Sequence, residues 1–472
     1  EVSAIDANYT IQLEGGIYTL NKELTPKIGL NIIGKEATDW ERKGVLTNDY
    51  PAQKALETRI NAGGKSRIFN TAVYQQPLTL TNIILENGKT TESGGAIYAG
   101  ADVTLKNSQI LNSQASKGGA IYLGGNTASL TMSHSLIQNN GQTSTDGSIL
   151  AMSCMFNTSY SARTISLDSN SFVNNGSTSS ISAFNFCGSP TASFTNNTIA
   201  QNIASQTNGS ILKFTGDADP AKNQTSNLSS ASSLTLQNNT IVENSANTTF
   251  LYDKLGDKNL DFNVLAFNNG SYACRYLLGA AAEEKDTGLD LRFNALNLTG
   301  NAPKCDVPKE VVPEGNTNLD VKNNTLNTLL EPIKEPNENN GFLPIYYPKN
   351  NFSAEDLIDV DSENKVTCQP QDQRGLARLV SNTYYYQTLN KNSCDIGSVE
   401  LMKLTAGDLE GLGNISFTTL IETYQKSYDL YDSLLKDPTT PSNFIVYYKV
   451  RLAEFKDLLD KFKNDTAHVN TK

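Results

Sequence analysis

The residue types that do chemistry are sparse in this chain, and their spacing argues against most of it. There are two histidines. His134 stands in a repeat and His468 close to the last residue, so no Ser/His or Cys/His nucleophilic constellation and no His-based metal site can be assembled. Gly63-Gly-Lys-Ser66 looks like the end of a phosphate loop, but Arg59 stands where that loop needs its first glycine, and the segment reads as a turn. Asp359-Val-Asp-Ser-Glu363 offers carboxylates at calcium-like spacing. Asn364 replaces the glycine that an EF-hand requires, which favours a solvated loop. Carbohydrate cleavage needs paired acids in opposite protonation states, or acidic calcium clusters beside an arginine base. Here Asp102, Asp146, Asp168, Glu243 and Asp261 are scattered, and Arg163, Arg275 and Arg292 have no acidic cluster near them in sequence. No catalytic, cofactor-binding or metal-binding residue is assigned.

The elements that would position any site follow from a repeat. Asn-x-apolar-apolar-x-Asn runs as Asn82–Asn87, Asn170–Asn175, Asn197–Asn202, Asn239–Asn244 and Asn263–Asn268. Asn107–Asn112 carries Gln109 at the first apolar place, and His134–Asn139 begins with His where the other six copies have Asn. The closing asparagines are 25, 27, 36, 27, 42 and 24 residues apart, and a loop such as Thr215–Ser232 accounts for the longest interval. A second mark, Gly94-Gly-Ala-Ile-Tyr98, returns as Gly118-Gly-Ala-Ile-Tyr122 and more loosely at Gly147 and Gly209. Short β-type runs punctuated by Gly and Asn do not form helices. The period predicts an all-β, single-stranded right-handed parallel β-helix of about a dozen coils from Asn8 to about Gly397, with stacked asparagine amides bonded from coil to coil.

Six cysteines, Cys154, Cys187, Cys274, Cys305, Cys368 and Cys394, are widely spaced without a C-x-x-C. They read as three disulfides in an oxidising compartment. Pairing neighbours gives intervals of 33, 31 and 26 residues, each near one coil plus a loop, so 154–187, 274–305 and 368–394 are the expected bridges.

Composition sets the outer limits. The chain has 472 residues, only 18% of them charged, and a net charge of −11. A net-acidic chain without basic runs is a poor nucleic-acid binder. No stretch approaches the roughly 20 apolar residues that span a bilayer, and the apolar content is too high for disorder. The chain opens at Glu1 with no Met and no signal peptide, which reads as processing or truncation upstream. After Glu400 the pattern changes to an i, i+3, i+4, i+7 stripe from Phe417 to Leu435, broken by Lys436–Pro441, then a second stripe from Phe444 to Phe462. This predicts a C-terminal α-helical hairpin over 401–472 beside a β-helix over 1–400, packed on or beside the last coil.

Asp372-Gln-Arg-Gly375, Arg378 and Cys394-Asp-Ile-Gly-Ser-Val-Glu400 complete the picture. With the Gly-Gly-Ala-Ile repeats they resemble polymorphic outer-membrane proteins and pectin-lyase-like β-helices, and in particular the ending of bacterial surface β-helices of the choice-of-anchor type. Ser398 replaces the usual small Ala. Within that group the chain is most similar to the rhombotarget A family. The resemblance implies export through the periplasm to the extracellular face of the cell surface, and anchoring by a membrane-bound sorting protease, a rhombosortase, acting on a C-terminal tail not present in these residues. The charged group Asp372, Arg374, Arg378, Asp395 and Glu400 is expected to be a buried ion-pair cap on the closing coil. Tyr346-Tyr347 and Tyr384-Tyr385-Tyr386 could stack sugars or simply form strands. The functional expectation is a non-catalytic adhesin-like or structural protein whose Ser/Thr/Asn face holds host or neighbouring-cell glycans or proteins. The alternative is a carbohydrate-active lyase or hydrolase.

Overall fold

The computed structural model describes residues 9–35, 56–154, 162–218, 228–279, 288–299, 303–308, 317–333, 343–349, 359–360, 368–375, 378, 392–393, 395–400, 417–440 and 442–469. Three parallel sheets of ten, eleven and nine strands run the length of a β-helix. Each coil contributes one short strand to each sheet. Leu78–Thr81, for example, lies in sheet one, Ile84–Glu86 in sheet two and Ile97–Ala99 in sheet three; the next coil repeats this at Val103–Lys106, Gln109–Leu111 and Ile121–Leu123.

The alternation of side chains across a strand decides what faces inward. In Leu130–Ser133, Leu130 and Met132 are buried while Thr131 and Ser133 are not; Ala162–Asp168 and Ser233–Gln237 alternate in the same way. The inward aliphatic and aromatic residues form one continuous core from Ile32 to Cys305. Phe172, Phe184 and Phe194 pass edge-to-face contacts along its middle at 5.1 and 5.3 Å, a geometry favoured by ring quadrupoles.

Two corners of each coil need a left-handed residue, which Asn adopts at little cost. Asn82, Asn107, His134, Ser169, Asn196 and Asn238 hold φ of 46–58° between sheets one and two, and Asn87, Asn112, Asn139 and Asn174 hold 53–58° between sheets two and three. The third corner uses glycine: at Gly94 and Gly118, with φ of 74° and 60°, a Cβ would sit 2.4 and 2.3 Å from a carbonyl oxygen.

The residue after each of the first two corners points inward and builds a buried polar ladder. Asn197 is representative. Its Nδ2 donates to Leu167 O and Asn239 Oδ1 (2.9 and 3.0 Å), while its Oδ1 accepts from Asn170 N and Nδ2 (2.9 and 3.0 Å). One ladder runs through Ser108, Ser135, Asn170, Asn197, Asn239, Asn263, Asn294 and Asn318. The other runs through Ser113, Asn140, Asn175, Asn202, Asn244 and Asn268. The repeat read from sequence therefore mixes two structural positions. Asn82/Asn87, Asn107/Asn112 and His134/Asn139 are corner residues, whereas Asn170/Asn175 and the later pairs are ladder residues one place further on. Both pairs are five residues apart, and both positions favour Asn, so the shift leaves no mark in the pattern. It does explain one interval: corner to corner, Asn139 to Asn174 is 35 residues, not 36.

Among the described residues the coil strands end at Leu319–Asp320 in sheet two, earlier than the expected Gly397. The described parts of 321–400 instead lie along the outside of sheet two as a strap. Leu329, Leu330, Tyr346 and Ile396 pack on Val242, Val264, Ala266 and Ala295, and Leu343, Ile345 and Val399 pack on Leu136. A hairpin of two helices, α1 (Phe417–Lys436) and α2 (Ser442–Val469), follows. Tyr424, Tyr431, Phe455, Leu458 and Leu459 fill its interface. It meets the strap where Arg451 Nη2 donates to Arg378 O at 2.9 Å.

Candidate functional site

Sheet one presents two outward columns to solvent. The register aligns Thr10, Asn31, Thr79, Thr104, Thr131, Ser166, Ser193, Thr235, Asn259 and Asp290 as successive rungs. All ten are exposed or half-exposed. From Thr10 to Asn259 every rung is a hydroxyl or amide, and rungs stand about 4.8 Å apart. The neighbouring column, Thr81, Lys106, Ser133, Asp168, Thr195, Gln237, Asp261 and Arg292, carries charges at four places along its length. Threonine suits both demands, since its branched Cβ fits a pleated strand and its hydroxyl remains free to bond.

The acids singled out in sequence are dispersed over this frame. Asp102 accepts from Ser129 N at 3.0 Å. Asp146 is buried at the edge of sheet three, held by Ser182 Oγ at 2.7 Å and Asn185 Nδ2 at 2.8 Å. Asp168 takes a bond from Ser169 Oγ at 3.3 Å and another from Thr195 Oγ1. Glu243, at a corner, accepts from Gln201 Nε2 at 3.2 Å and from the Tyr346 hydroxyl of the strap. Asp261 pairs with Arg292 Nε at 3.0 Å. Burial pushes the Asp261 carboxyl up to about 6, although Arg292 pulls it down. His134 holds a corner, not a ladder place; burial lowers its imidazole below the usual range, and Asp168 opposes this. Buried Arg163 donates to Ser153 O at 2.8 Å and to Cys187 O. Arg275 lies over the Tyr272 ring at 4.4 Å.

The charged group Asp372, Arg374, Arg378, Asp395 and Glu400 is buried, as its composition suggests, but it does not cap a closing coil. It fastens the strap to the side of the middle coils. Arg374 Nε and Nη2 donate to Asp372 Oδ2 at 2.8 and 2.6 Å, and Glu400 N donates to the same oxygen at 3.0 Å. Arg378 reaches Glu400 Oε2 at 3.2 Å, Asp395 O at 3.1 Å and Asn196 Oδ1 at 3.0 Å. Beside them Gln373 Nε2 donates to Asn170 O and Ser171 Oγ, both at 2.9 Å. Ser398 N donates to Thr240 Oγ1 at 2.9 Å. Gly397 is required here: at φ 99° a Cβ would lie 2.8 Å from Thr240 Oγ1. Tyr347 covers the Arg374 guanidinium at 5.3 Å.

Two expected disulfides are present. Cys154–Cys187 and Cys274–Cys305 join adjacent coils with Cα atoms 5.1 and 4.3 Å apart. Cys368 is also disulfide-bonded; Cys394 lies outside the described residues. So do residues 361–363 of the Asp359 loop, whose Asp359–Val360 pairs antiparallel with Asn392–Ser393, and so does Tyr384-Tyr385-Tyr386. Gly63 and Gly64 form the expected turn, at φ 59° and 71°. Among the described residues the one converging set of potential metal ligands is Cys154, Cys187 and Asp217, and its two sulfurs are already joined to each other.

The strap and its clasp are what the sequence reading missed. A signal existed: Ile241-Val242, Ile199-Ala200 and Phe172-Val173 are continuous apolar pairs, the mark of a strand buried on both faces. Comparison with protein families, with curated proteins and with solved structures finds no match for this chain.

Proposed function

We propose that this chain is a non-catalytic β-helix of the extracellular cell surface that holds glycans or proteins of a host or neighbouring cell along its open polar face. The observation that carries this reading is the outward Thr/Ser/Asn column of sheet one, repeated on nine successive strands without a charge. A regular array of weak hydrogen-bonding groups gains strength from multivalency rather than from one deep pocket. The dispersed carboxylates, each engaged in its own local contact, support binding over catalysis. The inter-coil disulfides accord with an exported protein, and the resemblance to choice-of-anchor β-helices such as rhombotarget A supplies the idea of a membrane-bound sorting protease as processing partner.

The test is binding of the purified chain to immobilised glycans and to fixed cells, against a variant carrying Thr104→Lys, Thr131→Lys and Ser193→Lys. The wild type should bind and the variant lose at least about tenfold, with an unchanged melting curve. Equal binding by both, or steady depolymerisation of a polysaccharide by the wild type, would refute the reading. Mass spectrometry of the native C-terminus tests the anchor, which an unmodified end on cell-surface protein would exclude.

A further inference from the structure

A second polar surface lies on the corner between sheets two and three. There a groove of about 470 Å³ is lined by six amide side chains, those of Asn112, Gln114, Asn139, Gln142, Asn174 and Gln201, together with Ile203. Asn112, Asn139, Asn174 and Gln201 occupy one structural position on four consecutive coils, each left-handed at φ 53–58°. The residues before them are register partners: Leu111 with Gln138, Gln138 with Val173, and Val173 with Ala200. The four amides therefore form a column parallel to the helix axis, one per coil rise of about 4.8 Å.

Three properties define what fits. The lining carries no charge; the next residue in the column, Glu243, is taken up by Gln201 and Tyr346. A charged ligand would lose its hydration there without a counter-charge. The side-chain amides of Asn112, Asn139 and Asn174 make no hydrogen bond among the described residues, so each offers donors and acceptors together. The backbone is committed: Asn112 N, Asn139 N and Asn174 N donate to Gln138 O, Val173 O and Ala200 O at 3.2, 3.3 and 3.3 Å. An added peptide strand needs unpaired main-chain groups along an edge, and this corner does not supply them. A chain of neutral hydroxyl-bearing rings does fit, because each hydroxyl both gives and takes a hydrogen bond, and Ile203 offers an apolar contact for a ring's C–H face.

We propose that this groove binds a neutral polysaccharide lying along the helix axis, one amide rung to each successive stretch of the glycan. The inference rests on the reading of the chain as a binding β-helix, and gives it a second site, distinct from the sheet-one column, with one ligand class.

The experiment is calorimetric titration of the full chain with cellohexaose and mannohexaose, with hexagalacturonate as charged control and a Ser/Thr-rich decapeptide as peptide control. The groove variant combines Asn139→Gly with Asn174→Gly, which removes two amides while glycine keeps the left-handed corners. A second groove variant, Gln114→Ala with Gln142→Ala, leaves the corners untouched. A variant at two exposed residues of the helical hairpin, Lys426→Ala with Asp429→Ala, serves as the contrast. At least one neutral hexasaccharide should bind the wild type and the hairpin variant alike, with both groove variants at least about tenfold weaker and their melting temperatures retained. Binding lost in the sheet-one triple-lysine variant but kept in both groove variants would overturn the groove while sparing the broader reading. Tighter, salt-sensitive binding of hexagalacturonate, or preference for the peptide, would overturn the ligand class. No binding of either neutral saccharide would overturn the proposal.

Discussion

Sheets one and two are built by the same coils and share the same core, yet their outer sides have opposite fates. Sheet one turns Thr131, Ser166 and Ser193 toward water. Sheet two turns Ala200, Val242 and Val264 outward, and the strap drawn from residues 321–400 covers them. The inward residues of the two sheets are nearly interchangeable, Leu, Ile and Phe in both. The difference lies wholly in the alternate residue, so one choice in two along a strand decides whether a face is structural or available. Even the corners follow this rule. Phe262 and Phe293, at left-handed positions that Asn holds elsewhere, stack 5.2 Å apart and are buried by strap residues.

The contrast breaks most readily at the clasp. Arg374→Met leaves the Asp372 carboxylate buried with part of its partners gone, and removing one member of a buried pair costs about 3–5 kcal/mol. Proteolysis of the strap at a concentration that spares the wild type, with the coils intact, is the expected result. Next comes the polar ladder that both faces share. Asn197→Ala removes two donors and one doubly used acceptor from a fully buried site, and should lower the denaturation free energy by about 2–4 kcal/mol. Thr→Val at exposed Thr131 should stay within about 0.5 kcal/mol.

Between these lies a pH effect confined to sheet one. The Asp261 carboxyl is raised to about 6 by burial, so the folded state holds a proton that the unfolded chain has released. Stability from this group is therefore full below the unfolded carboxylate range and falls as pH rises from about 4 to about 6. A rise from 3.8 to about 6 corresponds to an amplitude of about 3 kcal/mol. Thermal melts of wild type and Asp261→Asn, whose side chain stays neutral, should agree best near pH 4, separate as the wild type loses stability toward pH 6, and run parallel above it.

Much of this frame was readable from the chain alone, because a solenoid writes its period into sequence. The Gly-Gly-Ala-Ile marks, the short β-type runs and the cysteine intervals each report contacts one coil away. The limits were equally physical. Corner and ladder positions both accept Asn and recur at the same separation, so the phase shift after Asn139 had no compositional trace. The clasp depends on contacts such as Gln373 with Asn170, 203 residues apart, and nothing local in either segment announces the other. The amide groove combines residues from four coils, each an ordinary surface Asn or Gln by itself.

The central claim, that one face is closed by a clasped strap and the other is open for binding, can be tested by thiol accessibility. Thr131→Cys on sheet one and Thr198→Cys on sheet two, where the native side chain is 0% exposed, are probed with a bulky maleimide under native conditions. Position 131 should react at the rate of a free thiol and position 198 at least about a hundredfold slower, until Arg374→Met is added and the second site opens. Equal reactivity of the two sites in the otherwise native chain, or protection at 198 that survives the loss of Arg374, would contradict it.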